Sequence, residues 1–161
     1  MNPRYTLFAA ISMTGIIIDQ ITKIYIDRSM QLYDSIPVVE NFFHITYVRN
    51  KGAAFSFLSN ASWRLPFFIT VSIIAALVIL VAFRKLRDDQ RLAQISLAMI
   101  FSGAVGNLID RVRLGEVIDF LDVHWYRHHW PAFNVADSLI CVGVFLLALD
   151  MILEEKRLKS S

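Results

Sequence analysis

The most informative stretch of the chain spans residues 117–138 and reads VIDFLDVHWYRHHWPAFNVADS. It lies between two strongly apolar segments and carries a carboxylate near each end, Asp119 and Asp137. A charged group at the edge of a membrane is energetically expensive and usually has a partner or a function. We therefore begin with the hypothesis that these two aspartates lie together, each as the partner of the other.

The composition is that of a membrane protein. Hydrophobic residues make up 56% of the 161 residues and charged residues only 19%, and the apolar residues are gathered into long runs. The net charge of +2 and the lack of a Lys/Arg-rich tract predict no nucleic-acid partner. The single cysteine, Cys141, excludes an internal disulfide and a metal site built from several cysteines.

Four segments are apolar over the length of about 20 residues that a membrane-spanning helix needs. They are residues 5–26, 65–84, 91–111 and 134–154. The first is too long for a signal-peptide core and carries Asp19 in its second half, so we expect a retained anchor. The predicted fold is an all-α membrane protein, a single domain of four transmembrane helices with a small extracytoplasmic β-rich loop region. The domain covers residues 1–161, with outer loops 27–64 and 112–133 and a cytoplasmic loop 85–90.

The distribution of basic residues favours one orientation. Four helices place both termini and the short loop on one side, with eight basic residues against seven in the outer loops. The count alone barely decides, but four of the eight lie within residues 84–91, next to helix ends, so this side is predicted to be cytoplasmic. The three tryptophans then lie on the outer side, where interfacial residues are expected: Trp63, Trp125 and Trp130.

The first outer loop contains a segment with strand character. Residues 36–48 are rich in β-branched and aromatic side chains and predict one or two short strands. The motif RNKGAAFS follows at 49–56. By composition it is a turn, but Gly52 permits close backbone approach and Asn50 can offer its amide to an extended chain.

Helices one and three carry polar side chains within their apolar segments. Asp19 and Lys23 are four residues apart on one helical face, either as a neutralised pair or as a brace for a site on the outer side. Asn107 and Asp110 share a face of helix three, and an intramembrane asparagine is expected to face the bundle interior. Asp110 and Arg111 are expected to form local ion pairs at the end of that helix.

Each of the two aspartates also has a purely structural explanation. If Asn134 caps helix four, Asp137 is the third helical residue and can reach back to the cap. In a strand over residues 117–125, Asp119 shares a face with apolar side chains, where a carboxylate needs a partner. The residues alone leave the structural and the paired-carboxylate interpretations open.

Two neighbouring carboxyl groups would supply the chemistry of an aspartic protease. They cannot both ionise easily, so they share a proton, and one acts as a base on water while the other polarises the scissile carbonyl. This chemistry needs neither a metal nor a cofactor. The four histidines form no HExxH motif and the chain has no GxSxG motif, which disfavours a zinc protease and a serine hydrolase.

Five blocks of the sequence resemble those of the bacterial lipoprotein signal peptidases, the signal peptidase II family. The blocks occur in the family's order, each at the expected end of a helix, and together they cover nearly the whole chain. They are DQITK (19–23), RNKGAAFS (49–56), GNLIDR (106–111), VIDF (117–120) and PAFNVADS (131–138).

The resemblance implies an aspartic peptidase of the bacterial inner membrane, with its active site near the periplasmic surface. Its implied substrate is a prolipoprotein whose cysteine carries diacylglycerol, cut just before that cysteine, and its implied inhibitor is the cyclic peptide globomycin. Because such a substrate stays in the bilayer, membrane lipid is a further expected partner. The catalytic pair carries over to Asp119 and Asp137, and the supporting residues carry over to Asp19, Lys23, Asn50, Gly52, Asn107, Asp110, Arg111 and Asn134.

Two further expectations complete the sequence analysis. Asn50 and residues 52–54 are expected to hydrogen-bond the substrate backbone, as in strand addition. The alternative function is a non-enzymatic four-helix bundle or a small proton- or ion-coupled transporter, with a relay through Asp19, Lys23, Asp110 and Asp137. That alternative predicts tolerance of Asp119→Asn and does not explain why the polar motifs gather at one end of the bundle. Neither function predicts an oligomeric state.

Overall fold

The computed structural model describes residues 2–52 and 61–160, in which four long helices dominate. Their bounds are α1 Pro3–Ser29, α2 Arg64–Lys85, α3 Arg91–Leu114 and α4 Val135–Ser160. Each is long and apolar enough to cross a membrane. The prediction of four transmembrane helices is therefore confirmed.

The helices extend past the apolar segments that predict them. α3 continues to Leu114, and the next residue, Gly115, adopts the left-handed conformation with a φ of 74° and donates its N–H to the Arg111 carbonyl. α4 continues through the charged residues 154–160 because Glu, Lys, Arg and Leu favour a helix in water as well. An apolar window thus locates the part of a helix that crosses the membrane, whereas caps and propensity determine where the helix ends.

α3 lies at the centre of the bundle and packs against the other three helices. It buries ten residues, whereas α2 buries only Ile79 and Phe83 among its described residues. The outward faces are apolar, with Met13, Val78 and Phe145 each more than half exposed. A helix that is apolar on its outer face as well as its inner one is suited to a lipid environment.

α1, α3 and α4 approach one another closely at glycines. A Cβ atom added at Gly106 of α3 would lie 2.5 Å from Asp19 Oδ2 on α1, and one added at Gly143 of α4 would lie 2.9 Å from the Ser96 carbonyl oxygen. Contacts this short would force the helices apart. The lack of a side chain at Gly106 leaves room for the Asp19 carboxylate, whose Oδ1 atom accepts from the Ala136 N–H of α4.

The two outer loops join in one small antiparallel sheet. Its strands are β1 Ser35–Val39, β2 Phe43–Asn50, β3 Val117–Trp125 and β4 His128–His129, in the order β1-β2-β3-β4. The strands predicted within residues 36–48 are present as β1 and β2, and the strand over 117–125 is β3. The predicted fold class, a helical membrane protein with a small β-rich region, is confirmed.

The pairing of β2 with β3 brings distant residues together. Val48 lies opposite Asp119 and Asn50 lies opposite Val117, after an irregularity in the register between Ile45 and Val48. The end of β2 is thereby placed beside the start of β3, directly after the C-terminus of α3. The strand register therefore sets which side chains of the first outer loop reach Asp119.

Candidate active site

Asp119 is held by two amide groups from different parts of the chain. Its Oδ2 accepts a hydrogen bond of 2.9 Å from Asn50 Nδ2 on β2, and its Oδ1 accepts one of 2.7 Å from Asn134 Nδ2. The side chain is buried, with 3% of its surface exposed. Asp119, which was predicted to share a strand face with apolar side chains, therefore has a polar partner at each carboxylate oxygen.

Asp137 is part of a reciprocal cap at the start of α4. The Asp137 N–H donates to Asn134 Oδ1 at 3.0 Å, and the Asn134 N–H donates to Asp137 Oδ2 at 3.2 Å. The other carboxylate oxygen, Oδ1, accepts from Asn107 Nδ2 at 2.8 Å. The structural explanation predicted for Asp137 is present, and it leaves the carboxyl group half-exposed and connected to α3.

Asn134 and Asn107 join the two aspartates into one network. The Asn134 side chain, fully buried, donates to both Asp119 Oδ1 and Asn107 Oδ1. Asn107 in turn donates to Asp137. Two carboxyl groups from opposite ends of the stretch 117–138 are therefore linked by one chain of amide hydrogen bonds through Asn134 and Asn107.

The burial of Asp119 changes its acidity. Desolvation raises its pKa to about 7, with a further upward contribution from the negative charge of Asp137. The amides of Asn50 and Asn134 act in the opposite direction because they stabilise the carboxylate. Asp119 is therefore partly protonated near neutral pH, whereas an ordinary aspartate is ionised.

Behind the two aspartates lies a buried ion cluster centred on Lys23. Its Nζ atom contacts Asp19 Oδ2 at 3.0 Å, Asp110 Oδ2 at 3.1 Å and Asn107 Oδ1 at 3.0 Å, so three acceptors match the three donors of the ammonium group. At most 1% of each charged side chain is exposed. The predicted pair of Asp19 and Lys23 is present, and through Asn107 it also touches the site, as the brace interpretation requires.

The carboxylates of the ion cluster also bind the backbone of the site. Asp19 Oδ1 accepts from the Ala136 N–H at 2.9 Å, and Asp110 Oδ2 accepts from the Ile118 N–H at 3.1 Å. Ala136 and Ile118 are the sequence neighbours of Asp137 and Asp119. The cluster thus fixes the backbone on which each aspartate of the site stands.

Gln20 is a member of this cluster that sequence analysis missed. Its Nε2 atom lies 3.1 Å from both Asp19 Oδ2 and Asp110 Oδ1 and 3.2 Å from the Gly106 carbonyl oxygen. It therefore bridges α1 and α3 beside the lysine. Its position next to Asp19 in an otherwise apolar segment was the signal available in the sequence.

The local ion pairs expected for Asp110 and Arg111 are not what the described residues form. Asp110 pairs with Lys23 on α1, because the close approach of α1 and α3 offers it a buried ammonium. The Arg111 guanidinium donates to the Gly52 carbonyl at 3.2 Å and lies 5.0 Å from the centre of the Phe68 ring. Arg111 thus attaches the backbone just after β2 to α3.

Asn50 has a different set of contacts from the one expected. Its Nδ2 atom donates to Asp119, and its Oδ1 atom accepts from the Gly52 N–H at 2.9 Å. Each end of its amide thus makes one contact within the protein, and its contact with a substrate backbone stays a prediction. Ala53 and Ala54, for which the same role was expected, lie outside the described residues.

Both aspartates line one cleft of about 570 Å³, a size typical of ligand sites. Asn50, Gly52, Asn107 and Arg111 also line it, whereas Asp19, Lys23, Asp110 and Asn134 lie behind its surface. The rest of the lining, here called the apolar wall, is largely apolar and was not predicted as part of the site. Its residues are Val117, Trp130, Pro131, Ala132, Phe133, Cys141 and Val142.

The site and the fold together define a class of protein. A pair of carboxyl groups, one of them partly protonated at neutral pH, lies in a cleft at the ends of membrane-spanning helices. Paired carboxyl groups that share a proton are the arrangement of aspartic peptidases. The class is thus a membrane-embedded aspartic peptidase.

Comparison with known proteins gives the family. The model of the family described as signal peptidase (SPase) II matches residues 11–153. The lipoprotein signal peptidases of Geobacter metallireducens and Geobacter sulfurreducens are 68% and 67% identical to this chain over 157 residues, 98% of its length and 97% and 98% of theirs. A solved structure described as a bacterial membrane enzyme has a TM-score of 0.82 and 34% identity, covering 93% of this chain and 90% of that one. The chain belongs to the signal peptidase II family.

The family assignment confirms the resemblance found in the sequence and the prediction of an aspartic endopeptidase. It does not favour the alternative of a non-enzymatic bundle or transporter. The buried ion cluster gives a second reason against the transporter. Its lysine already contacts three acceptors, and the carboxylates of the cluster accept hydrogen bonds from the backbone of the site. Such a cluster is suited to holding a structure in place.

Proposed function

We propose that this chain removes signal peptides from prolipoproteins whose cysteine carries diacylglycerol, cutting just before that cysteine. Asp119 and Asp137 are the proposed catalytic pair. The observation that carries the proposal is their common cleft, in which Asp119 is buried and its pKa is raised to about 7. The names of the relatives, lipoprotein signal peptidases, support the substrate class.

In the proposed mechanism the two aspartates share one proton. Asp119, the more buried of the two, holds it and donates a hydrogen bond to the scissile carbonyl oxygen. Asp137 is the base, because two N–H donors and the N-terminal end of α4 stabilise its negative charge. It takes a proton from a water molecule as the water oxygen attacks the carbonyl carbon. When the C–N bond breaks, Asp137 gives the proton it took from water to the leaving nitrogen, and the pair is left with its one shared proton.

The position of the pair suits a substrate that stays in the bilayer. Asp119 follows the end of α3 by five residues (119 − 114) and Asp137 lies in the first turn of α4, so both stand at the same end of the bundle. The apolar wall formed by Pro131, Phe133 and Val142 supplies contact surface for an apolar segment or an acyl chain. A scissile bond next to a lipid-modified cysteine can therefore reach both carboxyl groups without leaving the membrane interface.

The proposed location is the bacterial inner membrane, with both termini cytoplasmic and the cleft near the periplasmic surface. The charges around the short loop support this orientation. Arg84 and Lys85 lie in the last turn of α2, Arg87 lies in the short loop, and Arg91 is the first residue of α3. Globomycin-type cyclic peptides are proposed as inhibitors that occupy the same cleft.

The proposal predicts a strong dependence of cleavage on the lipid. Purified protein in detergent should cut a diacylglyceryl-modified precursor immediately before the cysteine, as read by mass spectrometry. The same precursor with an unmodified cysteine should react at least ~100-fold more slowly, because remote binding energy contributes to catalysis.

Three outcomes of that assay are informative. Equal cleavage of both precursors would contradict the lipid requirement while leaving a peptidase. Cleavage at another bond would contradict the proposed specificity. If the parent protein cuts neither precursor, the proposed function is wrong, and charge movement through the protein in liposomes would then test the transporter alternative.

Activity is also expected to fall as the pH rises above about 7. Asp119 then loses the proton that the pair shares, because its pKa is raised to about 7. Asn50→Ala removes an amide that lowers this pKa, so the pKa should rise and the descending limb of kcat/KM should move to higher pH. The measurement is kcat/KM for the lipidated precursor between about pH 5 and 9 for both proteins.

Gln31→Ala is a suitable control for this experiment, since Gln31 is an exposed amide side chain in the same outer loop. Its pH profile should match that of the parent. If Asn50→Ala leaves the descending limb unchanged or moves it to lower pH, Asn50 does not lower the pKa of Asp119 and the role given to it is wrong.

A further inference from the structure

A second group of chemically reactive side chains lies at the outer end of the sheet. In the strand register, His44 of β2 is opposite Asp122 of β3, and His124 of β3 is opposite His129 of β4. Asp122 and His124 are two residues apart and so share one face of β3. Three neighbouring strands thus place three imidazoles and a carboxylate on the same face of the sheet.

The geometry of this group is close to that of a metal site. One nitrogen from each of His44 and His124 and one oxygen from Asp122 lie within 4.8 Å of one another. His124 Nδ1 is already 3.7 Å from Asp122 Oδ1. Ligand atoms around a tetrahedral zinc ion, bound at 2.0–2.1 Å, are ~3.4 Å apart. Side-chain movements of about an ångström are therefore sufficient for these three residues to bind one ion.

An unsatisfied polar atom points to the same conclusion. His124 is 5% exposed, and its Nδ1 atom has no hydrogen-bond partner among the described residues. Burying a polar atom without a partner is unfavourable, and a metal ion bound at this nitrogen would remove the penalty.

The surrounding contacts orient two further groups. His44 Nδ1 lies 3.1 Å from Ser35 Oγ, which leaves its Nε2 atom for a metal, as is usual for imidazole ligands. His129 Nδ1 lies 2.9 Å from Asp122 Oδ1 and can orient this carboxylate. The rings of His124 and His129 are stacked with their centres 4.4 Å apart, so His129 lies beside the three candidate ligands.

This group is separate from the cleft of the two aspartates. It borders a cavity of about 360 Å³ whose lining shares no residue with that of the cleft. Asp122 is three residues from Asp119 and therefore points to the opposite face of β3. An ion bound here is not placed to activate water at the scissile bond.

We propose that His44, Asp122 and His124 bind a divalent transition-metal ion, with zinc the best match, and that the ion joins β2 to β3. Imidazole together with carboxylate ligands favours zinc, nickel and copper over calcium and magnesium, which prefer oxygen ligands. β2 and β3 carry Asn50 and Asp119, so the ion stabilises the sheet that holds the catalytic cleft in shape. The proposal is independent of the substrate and of the peptidase mechanism.

The test is metal binding by the full-length protein, purified without a polyhistidine tag and stripped with a chelator. Zinc should bind with a stoichiometry near one per chain, as measured by elemental analysis after removal of free zinc, and calcium should not. Cobalt should give the visible absorption bands of a tetrahedral site. His44→Gln and Asp122→Asn should each weaken zinc binding at least ~10-fold in competition with a chromogenic chelator.

His128→Gln is the matched control, because His128 is exposed on the same hairpin and lies opposite Trp125, outside the group. It should bind zinc as the parent does, and all variants should melt alike in the presence of chelator. Zinc should raise the melting temperature of the parent and of His128→Gln only. No zinc bound by the parent, or binding that survives in His44→Gln and Asp122→Asn, would overturn the proposal.

Discussion

Asp119→Asn and Asp137→Asn are each expected to lower kcat for the lipidated precursor by roughly 10³-fold or more. Either change removes a group that must hold or accept a proton at the scissile bond, while the shape of the side chain is kept. General acid–base catalysis alone contributes on the order of 10²- to 10⁴-fold, and here both roles depend on the same pair. The measurement is single-turnover cleavage by protein that is shown to be folded by its melting curve.

The double variant provides a sharper test of the pair. Because the two carboxyl groups act as a unit, changing both should reduce the rate little further than changing one. Asp34→Asn, at an exposed aspartate in the first outer loop, is the control and should cleave at the parental rate. Cleavage that survives in either folded single variant would contradict the proposed mechanism.

Lys23→Met is expected to destabilise the protein by roughly 3–5 kcal/mol, which corresponds to a fall in Tm of roughly 10 °C for a chain of this size. The change leaves Asp19 and Asp110 buried without their counter-ion. The methionine fills the space of the lysine stem, so the loss reflects charge rather than a cavity. Thermal unfolding in detergent, followed by tryptophan fluorescence, measures the effect.

Two further variants separate charge from packing in this experiment. Lys85→Met removes an exposed lysine at the end of α2 and should leave Tm within a degree or two of the parent's. Adding Asp19→Asn and Asp110→Asn to Lys23→Met removes the uncompensated charges and should recover part of the lost stability. An unchanged Tm in Lys23→Met would show that the ion cluster does not stabilise the fold.

The helices and strands were predictable because their signals are local. A run of apolar residues of the required length identifies a membrane-spanning helix wherever it occurs, and alternating β-branched and aromatic residues identify a strand. The cap formed by Asn134 and Asp137 was also visible, since its two members are three residues apart. Asp19 and Lys23 were predictable as a pair for the same reason, four residues apart on one helix.

The contacts between distant segments were not predictable by the same means. The placement of Asn50 against Asp119 depends on the register of β2 with β3, including the irregularity between Ile45 and Val48. The ion pair of Lys23 with Asp110 depends on how closely α1 approaches α3 at Gly106. No single-sequence pattern encodes either distance. The five-block resemblance named these residues but did not predict their contacts.

The apolar wall of the cleft illustrates a different limit. Pro131, Phe133 and Val142 are ordinary residues for a loop and a membrane helix, so nothing in their identity marks them as part of a site. Only the folded arrangement shows that they line the same cleft as two carboxyl groups. Polar residues in apolar surroundings are conspicuous in a sequence, whereas apolar residues that contact a ligand are not.

Asn134 serves two purposes with a single side chain, since its oxygen caps α4 and its nitrogen holds Asp119. A substitution there would release the first turn of a membrane helix and the orientation of the proposed catalytic carboxylate together. Selection therefore has no route to alter one property while preserving the other at this position. Ala132 and Val142 also line the cleft but carry no polar side-chain group, so a substitution at either would reshape the cleft without removing a cap or a hydrogen bond to Asp119.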